Sequence, residues 1–149
     1  MNSLVEVCLR NLPKKRKVSL VKKFADQFDT SLYGVTPLMM LCLGTEEPLE
    51  AIRVLLEKGA DPNQGFLRAC RNEDLPKMEL LYRYGASLDL PDDTGMTPIH
   101  YTVDYPLALQ WLVSRGAETQ LRDKEGMMAL DRATLEESIK ILSKASTIE

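Results

Sequence analysis

His100 is the only histidine in the chain, and no motif sets a serine or cysteine nucleophile beside it. The three cysteines, Cys8, Cys42 and Cys70, lie far apart, each in an apolar segment. An odd number of such thiols fits a reducing compartment better than a disulfide framework. Acidic pairs occur at Glu46-Glu47, Asp92-Asp93 and Glu136-Glu137. They fall at predicted turns and helix starts, where carboxylates cap backbone N–H groups, rather than facing one another for acid–base work. No Cys-x-x-Cys, His-Glu-x-x-His or glycine-rich phosphate loop is present. The sequence therefore predicts no catalytic residue, no metal site and no cofactor, and an enzyme is not expected.

What remains is a chain built to fold and to bind. At 149 residues, 44% hydrophobic and 28% charged, it has the size and composition of one compact domain. The formal charge of −3 gives no global pull toward nucleic acid or acidic lipid. Locally the balance differs: from Met1 to Ala25 there are seven basic residues against one acid, Glu6, so the rest is acidic. The longest apolar run, Leu38 to Leu43, is too short to span a bilayer. Glu6 and Arg10 interrupt what would be the core of a secretory signal, so a cytoplasmic or nuclear location is expected.

Internal periodicity decides the elements. Gly59-Ala60-Asp61, Gly85-Ala86-Ser87 and Gly116-Ala117-Glu118 each follow a leucine-rich amphipathic stretch that opens near a proline, Pro48, Pro76 or Pro106. Proline suits a first helical turn and glycine a helix stop, so the spacing predicts three helices of about ten residues. A second phrase marks their partners: Gly34-Val35-Thr36-Pro37-Leu38 and Gly95-Met96-Thr97-Pro98-Ile99-His100, with a degenerate copy at Gly126-Met127-Met128-Ala129-Leu130. The intervals Gly85 to Ile99 and Gly116 to Leu130 are both 14 residues, which fixes the register.

The order Thr-Pro-Leu, short helix, turn, longer helix, Gly-Ala-Asp, hairpin resembles the ankyrin repeat, a unit of about 33 residues. The resemblance implies an all-α solenoid of stacked helix-turn-helix pairs joined by β-hairpin loops. It divides a single domain, 1–149, into a cap at 1–31, repeats at 32–64, 65–92 and 93–122, and a closing cap at 123–149. In the first cap Leu4-Val5-Glu6-Val7-Cys8 mirrors Phe66-Leu67-Arg68-Ala69-Cys70, and Leu20-Val21-x-x-Phe24 mirrors Leu80-Leu81-x-x-Tyr84. Two departures stand out. The interval from Gly59 to Phe66 is only seven residues, so the third hairpin is expected to be cut short, leaving a notch in that edge. Asp104-Tyr105-Pro106 is expected to shorten the first helix of the fourth unit.

The resemblance also assigns sites. His100 would bond within its own repeat, to Thr97. Partners of such stacks usually bind hairpin tips and exposed inner-helix positions. Here the tips would be Tyr33 and Val35, Thr94 and Met96, and Glu125 and Met127. The inner-helix positions would be Glu6, Met40, Arg68, Tyr101 and Arg132, with Met40 and Tyr101 an exposed apolar centre flanked by arginine. Trp111 reads as packing. The run Pro13-Lys14-Lys15-Arg16-Lys17-Val18 resembles a monopartite nuclear import signal. The other readings of it are a contact for an acidic protein or nucleic acid, or the solvated turn between two cap helices, with Lys22 and Lys23 covering the second.

The expected function is a non-catalytic protein–protein interaction module (adaptor, inhibitor or recruiting subunit) that holds a partner protein in its concave groove. The alternative is a nuclear regulator that masks or carries a transcription factor and uses the run 13–18 for import. Neither reading calls for a small-molecule substrate or a membrane, and nucleic acid is disfavoured as a partner.

Overall fold

The computed structural model describes residues 3–27, 29, 31–32, 34–44 and 46–147, and every regular element among them is helical. Ten α-helices follow in order: α1 (Leu4–Leu9), α2 (Lys14–Phe24), α3 (Pro37–Leu43), α4 (Leu49–Glu57), α5 (Asn63–Arg71), α6 (Leu75–Arg83), α7 (Pro98–Tyr101), α8 (Pro106–Ser114), α9 (Ala129–Arg132) and α10 (Glu136–Thr147). A single 3₁₀ turn, Ala25–Gln27, follows α2. The chain divides into two compact units, 1–69 with 76–86 and 70–75 with 87–149.

The helices start and stop where the sequence asks them to. Ser3 caps α1 by accepting from Glu6 N–H, and Thr36 caps α3 by accepting from Met39 N–H, both at 3.3 Å. The three leucine-rich helices end alike. Ala60, Ala86 and Ala117 donate back to Leu55, Leu81 and Leu112, at 3.0, 3.1 and 3.1 Å, across the preceding glycines. That six-to-one bond is the Schellman stop, and it needs the left-handed backbone that Gly59 adopts at φ 105°. The degenerate copy, which lacks Thr-Pro, caps itself differently: Asp131 accepts from Met128 N–H at 2.8 Å.

In the first unit α1 packs on α2 and α3, and α4 packs on α2 and α3. Leu4, Val7, Val21, Leu38, Leu41, Ile52 and Leu55 are completely enclosed in its core. Cys8 belongs to the same interior, and burial pushes its thiol up to about 12, against a smaller opposite pull from Lys17. Residues 60–62 lead straight into α5 at Asn63, with no projecting hairpin. Gly65 in α5 sits against α3 so closely that a Cβ there would overlap the Cys42 sulfur.

Two lysines stand at core positions of this unit. Lys17 of α2 and Lys77 of α6 are 2% and 1% exposed, and the register that aligns Leu20-Val21 with Leu80-Leu81 makes them equivalent. Both grip the turn between α3 and α4. Lys17 donates to the two Glu47 carboxylate oxygens at 2.8 and 2.7 Å, and Lys77 donates to the Gly44 carbonyl. The basic run is thus neither extended nor a solvated turn. Pro13 is the N-cap, and Lys14, Lys15, Arg16, Lys17 and Val18 form the opening turns of α2. An import receptor that reads an extended chain would have to unwind them and extract Lys17 from Glu47.

In the second unit α7 packs on α8 and α9, and α10 packs on α8 and α9. Ile99, Ala108, Leu109, Leu112, Ala129 and Leu142 are its enclosed apolar residues. α7 has only four residues, as the Asp104-Tyr105-Pro106 turn predicts, and α9 is equally short. Trp111 is half-buried on α8, with the Arg115 guanidinium 4.3 Å from its ring centre.

Candidate protein-docking site

Two turns in the second unit share one design at a spacing of 31 residues. In the first, Asp92 N–H donates to Met96 O and Gly95 N–H to Asp92 O, both at 3.0 Å. In the second, Asp123 N–H donates to Met127 O and Gly126 N–H to Asp123 O, at 3.0 and 2.9 Å. The aspartate Oδ1 then fastens each turn from inside. Asp92 Oδ1 accepts from Thr94 N–H, Thr94 Oγ1 and Met96 N–H at 2.8, 2.6 and 3.1 Å. Asp123 Oδ1 accepts from Glu125 N–H and Met127 N–H at 2.9 and 3.1 Å.

The second oxygen of each aspartate reaches nine residues onward, to the short helix. Asp92 Oδ2 accepts from the Tyr101 hydroxyl, and Asp123 Oδ2 accepts from Arg132 Nε at 2.7 Å. Arg132 also binds Glu125 at 2.9 Å. The Arg71 guanidinium lies 4.9 Å from the Tyr101 ring centre. One carboxylate per turn therefore sets both the loop and the inner-helix side chain beside it.

Backbone contact joins the turns: Lys124 N–H donates to Thr94 O at 3.1 Å. This close approach depends on Gly95, which adopts φ 78° and would place a Cβ 2.9 Å from Lys124 N. Gly95→Ala combines a left-handed backbone with a clash against main chain. It should cost about 2 kcal/mol in urea unfolding, whereas Gly126→Ala, with open space around its Cβ, should cost about half as much.

His100 completes the scaffold from behind, 1% exposed. Thr97 N–H and Thr97 Oγ1 lie 3.2 and 2.9 Å from Nδ1, as the Thr97-Pro98-Ile99-His100 phrase implies. Because Nδ1 accepts from a backbone N–H, the proton sits on Nε2, which donates to Met127 O at 2.9 Å.

Together these elements line a cleft of about 470 Å³ that includes Thr94, Met96, Tyr101, Glu125 and Arg132, with Asp93 and Lys124 on it. Five of the residues proposed from sequence are thus brought together. Met127 is half-buried in the second turn. The others belong to the first unit or fall outside the description. Val35 closes the turn 32–35 by exchanging two 3.0 Å bonds with Leu32, and Arg68 is half-buried on α5. Tyr33 lies outside the described residues. Glu6 is exposed on α1.

Met40 corrects its expectation: it is 7% exposed, not open. Its place corresponds to Tyr101 and Arg132, but Ser31 stands where the other turns have Asp92 and Asp123. A thioether has no proton to give a carboxylate in any case, and as an apolar, adaptable side chain it packs inward. Asp92, Asp123 and Arg71 were not picked out from sequence as site residues. The signal for the aspartates was there, in Asp92-Asp93-Thr94-Gly95 and Asp123-Lys124-Glu125-Gly126, one repeat apart.

The electrostatics follow from the bonding. Burial would raise the Asp92 carboxyl, but the Thr94 and Tyr101 hydroxyls and the Thr94 and Met96 N–H groups together outweigh it, holding it at about 2. The same bond raises the Tyr101 hydroxyl. A carboxyl lowered in the folded state stabilises fully above its ordinary value near 4, and that contribution is lost as pH falls toward about 2. Urea midpoints measured at steps from pH 5 to the acid limit should therefore fall more steeply for the native chain than for Asp92→Asn.

Among the described residues no group of three or more His, Cys, Asp or Glu could hold a metal ion, and no helix is long and apolar enough to cross a membrane. The family model for the ankyrin repeat matches residues 33–65. An ADP-ribosylation factor GTPase-activating protein of Arabidopsis thaliana, AGD4, is 35% identical over 68 residues, covering 44% of this chain. The match spans only 9% of that longer protein. Residues 33–65 are thus an ankyrin repeat, and the Thr-Pro start at 97–98 and the Gly-Ala stops at 85–86 and 116–117 are similar to the start and stop of that matched repeat.

Proposed function

We propose that the chain is a non-catalytic interaction module, an adaptor, inhibitor or recruiting subunit, that binds a partner protein through the cleft between the 92–96 and 123–127 turns. The matched family supports a binding role in general terms. The observation that carries the particular reading is the paired aspartate scaffold, which holds Tyr101 and Arg132 half-exposed on fixed backbone. Tyrosine and arginine dominate interface energetics because each gives large contact area with a polar end, and prior ordering spares the entropy of fixing them on binding. On this reading the units 1–31, 32–64, 65–92, 93–122 and 123–149 are stacked repeats, the protein works in a reducing compartment of the cell, and the scaffold carries no reaction of its own.

The test is affinity capture with the charge-reversed pair Asp93→Arg and Lys124→Glu. Both side chains are exposed on the cleft, so the fold should survive, as circular dichroism would show. A partner held by the native chain and lost by this pair supports the reading. Partners retained equally by both would place binding elsewhere.

A further inference from the structure

A second surface, wholly within the first unit, has a different chemistry. Along α2, Lys14, Val18 and Lys22 recur at four-residue intervals, with Lys15 beside them. With Pro48 and Glu50 at the start of α4 they line a groove of about 470 Å³. Val18 and Pro48 are half-buried and give it an apolar lining, while the lysines stand in solvent at its edge.

Those lysines are weakly committed. Lys22 meets Glu50 at 2.7 Å with both side chains more than half exposed, and Lys14 meets Glu46 at 3.5 Å with both largely exposed. Exposed pairs of this kind are worth little, so an incoming carboxylate can replace Glu46 or Glu50 at small cost. No partner is found for Lys15 among the described residues. Lys17 differs from its neighbours: enclosed and bound to Glu47, it anchors the helix and leaves the rest of the run on the surface.

We infer that this groove docks an acidic peptide segment of a partner protein, with an apolar side chain seated between Val18 and Pro48 and flanking carboxylates on Lys14, Lys15 and Lys22. Charge complementarity selects the acidic occupant. The lining selects a peptide: half-buried Val18 and Pro48 offer an apolar seat that a lipid headgroup would not use, and no aromatic side chain lines the groove for a base to stack upon.

The experiment is fluorescence anisotropy on the full chain at about 0.15 M salt. The probes are a labelled Glu-Glu-Leu-Glu-Glu peptide and its Glu-Glu-Gly-Glu-Glu counterpart. The leucine peptide should bind more tightly than the glycine one. The double variant Lys15→Gln, Lys22→Gln should lose about tenfold in affinity with unchanged circular dichroism. Asp93→Arg with Lys124→Glu should bind the peptide normally, which separates this surface from the cleft of the second unit. Equal binding of the two peptides, or no loss in the lysine variant, would overturn the inference. So would no binding at all, or tighter binding of oligothymidylate or phosphatidylserine vesicles.

Discussion

Replacing Glu47 by alanine should destabilise the protein far more than replacing Lys17 by methionine. The two residues form one ion pair, with side chains 21% and 3% exposed. Removing the carboxylate strands a buried ammonium between α2 and the α3–α4 turn, at a cost of about 3 kcal/mol. Methionine at position 17 keeps the length and packing of the lysine stem, and the freed Glu47 can turn toward water. That change should cost about 1 kcal/mol or less. Urea unfolding of the two variants measures the difference. Equal losses, or a greater loss from Lys17→Met, would show that the pair is not an internal anchor.

His100→Leu should be among the costliest single changes in the second unit apart from deletions of its core. The leucine fills much of the space but can neither accept from Thr97 N–H nor donate to Met127 O. Buried Thr97 N–H then loses its partner, while Met127 O keeps only its bond from Asp123 N–H, for a combined cost of about 2 kcal/mol. The loss falls on the scaffold that positions the cleft, because Met127 closes the 123–127 turn. His100→Gln, which retains an acceptor and a donor, should recover part of it. Nitrogen NMR of the imidazole supplies a check independent of stability: the neutral ring should carry its proton on Nε2. A proton on Nδ1 would contradict the bonding described.

Much of the helical framework was legible because its signals are local. Thr-Pro starts and Gly-Ala stops act within one turn of chain: the Thr36 hydroxyl accepts from Met39 N–H, and backbone bonds close the stops at Gly59, Gly85 and Gly116. The brief α7 followed from Pro106 in the same way. The side-chain environments were less legible, because they depend on what lies thirty residues away. Lys17 reads as one of four consecutive cations until Glu47 is brought beside it, and Lys77 reads as a surface lysine until Gly44 is. Met40 shares its register with Tyr101, yet the register alone does not tell that the Tyr101 hydroxyl is tied to Asp92 while the Met40 thioether, with no proton to donate, is buried. Within the cleft, the tips and inner-helix residues were read from the repeat. The aspartates that fix them act through side-chain bonds that a pattern of hydrophobicity does not record.

A partner docked as we propose, in the cleft of the second unit, would change the surroundings of its two turns. The most direct measurement is to titrate a partner obtained by affinity capture into the isotopically labelled chain and follow its amide resonances. The largest shifts should fall on residues 92–96 and 123–127 and around Tyr101 and Arg132. Shifts confined to the first unit, or absent from both turns, would contradict the proposal.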